Sequence, residues 1–392
     1  MNRREFLTIG AGAAAAACFA TPLLSSCSRE IDTLKIGYIP ITDAAPLLAA
    51  HAQGYFQEEG LKVERPRMIR TWSSLVEAFL SGKVNVTHLL LPIPIWMRYN
   101  TGAPVKVVAW DHTNGSALTI GRDSGIGSFA ELGGSQIAVP FWYSMHNVIL
   151  QLGLRERGLK PVIQAQEAAL GPDEVNLLVL PPPEMPAALA SKKIDAYIVA
   201  EPFNALAEER TGARILRFTG DIWKNHPCCV VVMKEREINS NPIFTQKTVN
   251  AVVRAQDWLR KNPFEAAKIL SQEGENYLPV SRAVLERVFI GYEIDRYGPG
   301  NQPQAIQHPE WDLKRIDFQP YPYPSATEFI YRRLEETVVE GDTGFLSKQS
   351  SAFVAKDLAE PRFVRQALRE TGLVFPDLDI NAPLTREEVI EL

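Results

Sequence analysis

From residue 34 onward the chain alternates short apolar runs with segments whose apolar residues recur at helical spacing. Runs at 34–39, 61–63, 84–91 and 105–110 predict strands. Between them, 46–53 and 73–81 carry apolar residues three and four apart and stop at Gly54 and Gly82, which predicts helices ended by glycine. The alternation resumes with strands at 116–120, 136–139, 176–180, 196–199, 215–218 and 229–233, and helices at 146–154 and 185–190. Beyond residue 248 the pattern is mostly helical, at 249–259, 266–270 and 282–288, and the last third is rich in Pro, Tyr and Gly. Strands separated by helices pair in parallel, because the helix supplies the crossover. Two such runs followed by a return to the first predict an α/β protein of two lobes, with ligands held just beyond the carboxyl ends of the strands.

Residues 1–26 do not fit that alternation. Arg3 and Arg4 precede Phe6 and Leu7, an Ala/Gly-rich apolar stretch follows, and 24–27 read LSSC. This order is that of a twin-arginine-type export signal ending in a lipobox, whose small residues suit the peptidase and whose Cys27 thiol takes the lipid. An uncleaved anchor is the competing reading, but 6–24 is broken by Gly and Pro and is marginal for a bilayer span.

Composition narrows the function. With 392 residues, 46% hydrophobic and 22% charged, the chain can bury full cores and is not disordered. Lys and Arg number 41 against 46 Asp and Glu, a net charge of -5, so no basic surface for nucleic acid is expected. Cys18, Cys27, Cys228 and Cys229 form neither a disulfide framework nor a spaced metal tetrad. A bond between neighbours is strained and metal sites favour spaced ligands, so Cys228 and Cys229 read as two small apolar side chains on a buried strand. Residues 125–130 (GIGSFA) lack the acidic partner that a dinucleotide site needs, and no HExxH, GxSxG or Walker lysine occurs. No catalytic residue, metal or cofactor is therefore expected.

The segments just after the strands are rich in aromatics, His, small hydroxyls and rigid prolines, the make-up of a small-molecule cleft. They include 36–46 (IGYIPITDAAP), 54–56 (GYF), His88 with Pro92 and Pro94, 112–115 (HTNG), 181–185 (PPPEM), Asp195, 201–204 (EPFN), 221–227 (DIWKNHP) and 321–324 (YPYP). In these segments, taken in order, the chain resembles the NMT1-like substrate-binding lipoproteins of ABC importers for nitrate, sulfonates and bicarbonate, in the nitrate/bicarbonate branch. The resemblance implies a type II periplasmic-binding-protein fold, in which 116–120 and 229–233 cross between the lobes. It places the signal at 1–26, lobe I at 27–117 and 230–392 with a C-terminal extension, and lobe II at 118–229. It implies an exported monomer, tethered through Cys27, that captures a small solute and hands it to a permease and its ATPase. An enzyme like those of thiamine-pyrimidine synthesis, or an exported solute sensor, is the alternative on the same scaffold.

Carried over residue by residue, the resemblance makes Trp72 a wall of the solute pocket and His146 a contact to an oxyanion. Thr42, Asp43 and Pro92 line the strand ends, and Glu201 stands by as an acceptor. His88 and His226 read as histidines satisfied within the structure. Two positions depart from the nitrate pattern. Ser116 stands where a glutamine is expected and Cys229 where a lysine is expected, so the pocket loses a charge and a donor. That points away from nitrate and bicarbonate, toward a bulkier, neutral or zwitterionic solute.

Cys27→Ala should yield an exported but unlipidated or uncleaved protein. Mass spectrometry of the native N-terminus checks this, and an unmodified Cys27 in the wild type would sink the lipoprotein reading.

Overall fold

The computed structural model describes residues 33–376, 378–382 and 384–392, so the segment read as an export signal and Cys27 lie outside the described residues. The first α/β run forms β1 (Ile36–Tyr38), α1 (Ala45–Ala52), β2 (Arg67–Met68), α2 (Trp72–Leu80), β3 (Val86–Leu90), α3 (Pro92–Tyr99) and β4 (Val105–Trp110). Helix α2 starts where its cap dictates, since Thr71 Oγ1 accepts from Ser74 N at 3.2 Å. Helix α3 was not legible, because Pro92 and Pro94 read as breakers. Both prolines instead occupy the first turn, where a missing N–H leaves no bond unmade.

The second run forms β5 (Ser116–Ile120), β6 (Gln136–Val139), α4 (Met145–Glu156), β7 (Lys160–Val162), β8 (Glu174–Val179), β9 (Ala196–Ala200), α5 (Phe203–Thr211) and β10 (Arg214–Phe218). The chain then returns through β11 (Cys229–Lys234) to α6 (Pro242–Lys261). Helix α6 starts seven residues before the expected 249–259 because Asn241 caps it, accepting from Phe244 N at 3.0 Å.

Two sheets result. One has the order β2-β1-β3-β11-β4, and the other β7-β8-β6-β9-β5-β10. Strands β1, β2 and β3 pair in parallel, as do β6, β7, β8 and β9. The connecting strands run against their neighbours: β5 is antiparallel to β9 and β10, and β11 to β3 and β4. Each lobe therefore receives one antiparallel strand directly from the other. The turn before β5 is made by Asn114 (φ 58°) and Gly115 (φ 78°). A Cβ on Gly115 would lie 3.0 Å from His112 Nδ1, so glycine is needed both for the dihedral and for the close approach.

One large apolar core holds Leu48, Leu89, Val231 and Val252 of the first sheet and its helices and runs on to Ala138, Val148 and Val199 of the second. A smaller core of Leu118, Ile137, Val139, Leu150 and Leu154 lies on the second sheet alone. The C-terminal helices include α7 (Pro324–Leu334), α8 (Ser351–Leu358) and α9 (Arg362–Thr371). This region, read as an extension of lobe I, holds to both sheets. Pro320 O accepts from Trp110 N and Val107 O accepts from Glu360 N on the first. On the second, Gln151 of α4 exchanges two 2.8 Å bonds with the Val338 backbone, and Asp221 accepts from Gln307 N and His308 N. Among the described residues, no helix is long and apolar enough to cross a membrane.

Asp357 of α8 fastens this region to the first sheet. It accepts from Arg98 Nε at 2.5 Å, Tyr99 Oη at 2.9 Å and Lys106 Nζ at 3.1 Å. Burial alone would raise its pKa, but these donors outweigh that and hold it at about 2. A depressed carboxyl contributes stability that is present above its unfolded pKa and lost as pH falls through the folded value. Asp357→Asn should therefore cost about 1–2 kcal/mol at neutral pH and flatten the acid limb between roughly pH 4 and pH 2. Urea unfolding across that range checks it, and unchanged stability at pH 7 would contradict it.

Candidate functional site

The strand ends of both sheets deliver polar side chains to one buried region. From the first sheet come Asp43, just after β1, His112, just after β4, and Cys228 and Cys229 at the start of β11. From the second come Ser116, first in β5, and His146, in the first turn of α4. All six are buried. His146 takes its place because Ser144 caps α4, accepting from Asn147 N at 3.0 Å.

Ser116 Oγ and His146 Nε2 are 2.9 Å apart, and Cys228 Sγ lies 4.0 Å from each. His112 Nε2 lies 2.9 Å from Asp43 Oδ2 and accepts from Cys229 N at 3.2 Å. Burial works against charge on His112, but the Asp43 carboxylate outweighs it and holds the ring up at about 10. Burial pushes the Asp43 carboxyl up, opposed by His112. One proton shared between the two makes the pair neutral overall, which suits a dry site. Burial also pushes both thiols up. The bond from Cys229 and the charge of His146 nevertheless bring Cys228 well below the usual thiol range, while Cys229 stays well above it.

The two cysteines are thus not a pair of inert apolar side chains along a strand. Cys228 precedes β11, and both sulfurs turn to the Asp43–His112 pair. Asp43, His112, Cys228 and Cys229 each offer a ligand atom within 4.8 Å of the others'. Adjacent residues can turn to one side here because a strand start does not impose the two-faced alternation of a strand interior.

Trp72 opens α2 and packs edge-on against His88, ring centroids 5.7 Å apart. His88 is neutral: burial drops its pKa to about 3, and Nε2 accepts from Ile39 N at 3.0 Å. Burial likewise lowers His226 to about 4, and its ring bridges Thr219 Oγ1 at 2.8 Å and Pro227 O at 3.0 Å. Pro92 starts α3 one residue after Leu91, whose N–H donates to Cys228 O.

Thr42 and Glu201 meet, though not through the acid. Thr42 N and Oγ1 both donate to the Glu201 carbonyl, at 2.8 and 3.0 Å. The Glu201 carboxylate turns the other way, to Arg315 at 2.7 Å and Ala205 N at 3.1 Å. Arg315 also holds Glu208 at 3.0 Å, and all three are buried. Burial raises the Glu201 pKa and Arg315 opposes it. Glu201 is therefore a positioning residue of the interlobe junction rather than a free acceptor. The sequence reading missed Arg315 and His112. Arg315 lies far along the chain with no local pattern to mark it, whereas His112 follows a strand directly, a signal that was available.

The profile of the NMT1-like family matches residues 28–272. The nitrate/nitrite binding protein NrtA of Nostoc sp. (strain PCC 7120) is 29% identical over 350 residues, covering 83% of this chain and 75% of that one. The crystal structure of the periplasmic nitrate-binding protein NrtA from Synechocystis PCC 6803 superposes with a TM-score of 0.70 at 21% identity, over 87% of this chain and 89% of that chain. The periplasmic aliphatic sulphonate binding protein SsuA from Escherichia coli gives a TM-score of 0.56 at 16% identity, over 78% and 86%. The architecture is that of the periplasmic binding proteins.

Removing Arg315 would leave Glu201 and Glu208 facing each other in a buried site. Arg315→Met should lower stability by roughly 3–5 kcal/mol, and adding Glu201→Gln should restore part of it. Urea unfolding of the single and double variants checks this, and a neutral Arg315→Met would show that the network does not hold the junction.

Proposed function

The chain belongs to the NMT1-like family, and we propose that it is the solute-binding component of an ABC importer. The observation that carries this reading is the convergence of Asp43, His112 and Cys228 from one sheet on Ser116 and His146 from the other. A cleft lined from both lobes can release its solute when the lobes part and enclose it when they meet. The lobes divide at 117/118 and 229/230, with β5 and β11 as the crossing strands. The mature protein is a monomer, exported by its N-terminal signal, tethered through acyl chains on Cys27 and docked on a permease with its ATPase.

The solute belongs to the nitrate, sulfonate and bicarbonate class. Ser116 and Cys229 replace an amide and an ammonium, and Glu201 is committed to Arg315, so the positive field on a small anion is weak. A solute with its own hydrogen-bonding groups fits the Ser116–His146 pair and the Trp72 wall. Binding returns the solute unchanged, so the protein is not an enzyme.

A thermal-shift screen over nitrate, bicarbonate, taurine, alkanesulfonates, cyanate, amides and pyrimidines tests this. The cognate solute should stabilise by about 2.7 kcal/mol at a hundredfold excess over Kd, and nitrate should bind weakly. His146→Ala should weaken the cognate solute about ten- to a hundredfold, the equivalent of roughly 1.5–3 kcal/mol for one strong hydrogen bond. No shift with any of these solutes, tight nitrate binding in calorimetry, or a chemically altered solute on recovery would each overturn part of the proposal.

A further inference from the structure

Four side chains in the cleft present more lone pairs than protons. Both Asp43 carboxylate oxygens and His112 Nδ1 are buried without a hydrogen-bond partner. The other ring nitrogen, Nε2, faces a carboxylate oxygen at 2.9 Å and a backbone N–H at 3.2 Å. A proton on Nε2 serves Asp43 but opposes the Cys229 N–H, and its absence serves Cys229 but abandons Asp43. Two thiols complete the group, their sulfurs within 4.8 Å of the Asp43 and His112 ligand atoms. A buried carboxylate whose imidazole donor is contested in this way is costly, and natural sites resolve such a cost with a pairing charge.

We propose that Asp43, His112, Cys228 and Cys229 bind one divalent transition-metal ion of the zinc class. The ligand set of two sulfurs, one imidazole nitrogen and one carboxylate oxygen suits a borderline-soft cation and not calcium or magnesium, which take oxygen shells. Ligand atoms within 4.8 Å of one another need a modest contraction to surround a tetrahedral zinc ion, whose ligands stand about 2.0–2.3 Å from the metal. The four ligands come from three strand ends of one sheet, and Gly115 packs against the His112 ring, so a rigid element positions each. Binding would neutralise Asp43 and release the thiol protons to solvent. All four groups are buried, so the ion enters when the two sheets part or as the chain folds. Ser116 and His146 are left free to face a solute beside the metal.

The test is titration of the full-length protein with Co²⁺, followed by displacement with Zn²⁺. One equivalent of Co²⁺ should give thiolate-to-cobalt charge-transfer absorption, which Zn²⁺ abolishes. The band should weaken in Cys228→Ser and Cys229→Ser, vanish in the double variant, and persist in Cys18→Ser and Cys27→Ser. Should the cleft variants fail to fold, the zinc-edge X-ray absorption of the wild type decides. It should show two sulfur neighbours at about 2.3 Å and two lighter ones at about 2.0 Å. Absence of the charge-transfer band, its survival in the Cys228→Ser, Cys229→Ser double variant, or a shell of nitrogen and oxygen alone would overturn the proposal. Solute binding is read separately by thermal shift, so failure of the metal site and failure of the transport reading are distinguishable.

Discussion

The cost of taking charge out of water governs the junction of the two sheets. Asp43, Asp111, His112, Glu201, Glu208, Arg217, Asp221 and Arg315 are all buried there or close by. Each can stay only if its charge is matched locally or given up. Arg315 is matched by two carboxylates, Arg217 by Asp221 at 2.8 Å, and His112 by Asp43. Asp111 has no side-chain donor, and burial pushes its pKa well above the ordinary range. The Arg315 and Arg217 pairs glue the lobes and the C-terminal segment together, and the Asp43–His112 pair, flanked by two thiols, is what remains available for a ligand.

Connectivity explains why so many polar groups arrive at one place. Parallel strands all end on the same side of their sheet, so the residues following β1 and β4 emerge together. The antiparallel strand β11 begins where its neighbours end, which sets Cys228 and Cys229 beside Asp43 and His112. The Asn114–Gly115 turn then carries the chain from His112 to Ser116 across three intervening residues, from one lobe's strand end to the other's first residue. The site is a consequence of strand direction as much as of residue type.

The C-terminal third adds a second kind of link. Its bonds to Trp110 and Val107 on one side and to Gln151 and Asp221 on the other make it a brace across the lobes. A hinge motion at β5 and β11 must work against these contacts. Each of these hydrogen bonds has a modest net worth of about 1 kcal/mol, a cost that solute binding can offset.

The sequence by itself determined the local elements and the class of fold. Apolar periodicity located most strands and helices because local burial imposes it, and the ordered strand-end segments carried the family. It also singled out Ser116 and His146, which do meet, and read His88 and His226 as satisfied histidines, which holds for both nitrogens of His226 but only for Nε2 of His88, whose Nδ1 is buried without a partner. Periodicity could not show which distant residues share a charge. Arg315 reaches Glu201 and Glu208 from far along the chain, and that contact turns Glu201 away from the cleft. Nor could spacing reveal that Cys228 lies ahead of its strand, so that two adjacent sulfurs face one carboxylate and one imidazole. Only tertiary structure decides such convergence, because it depends on strand order and direction, and these are set by packing among segments that no local pattern connects.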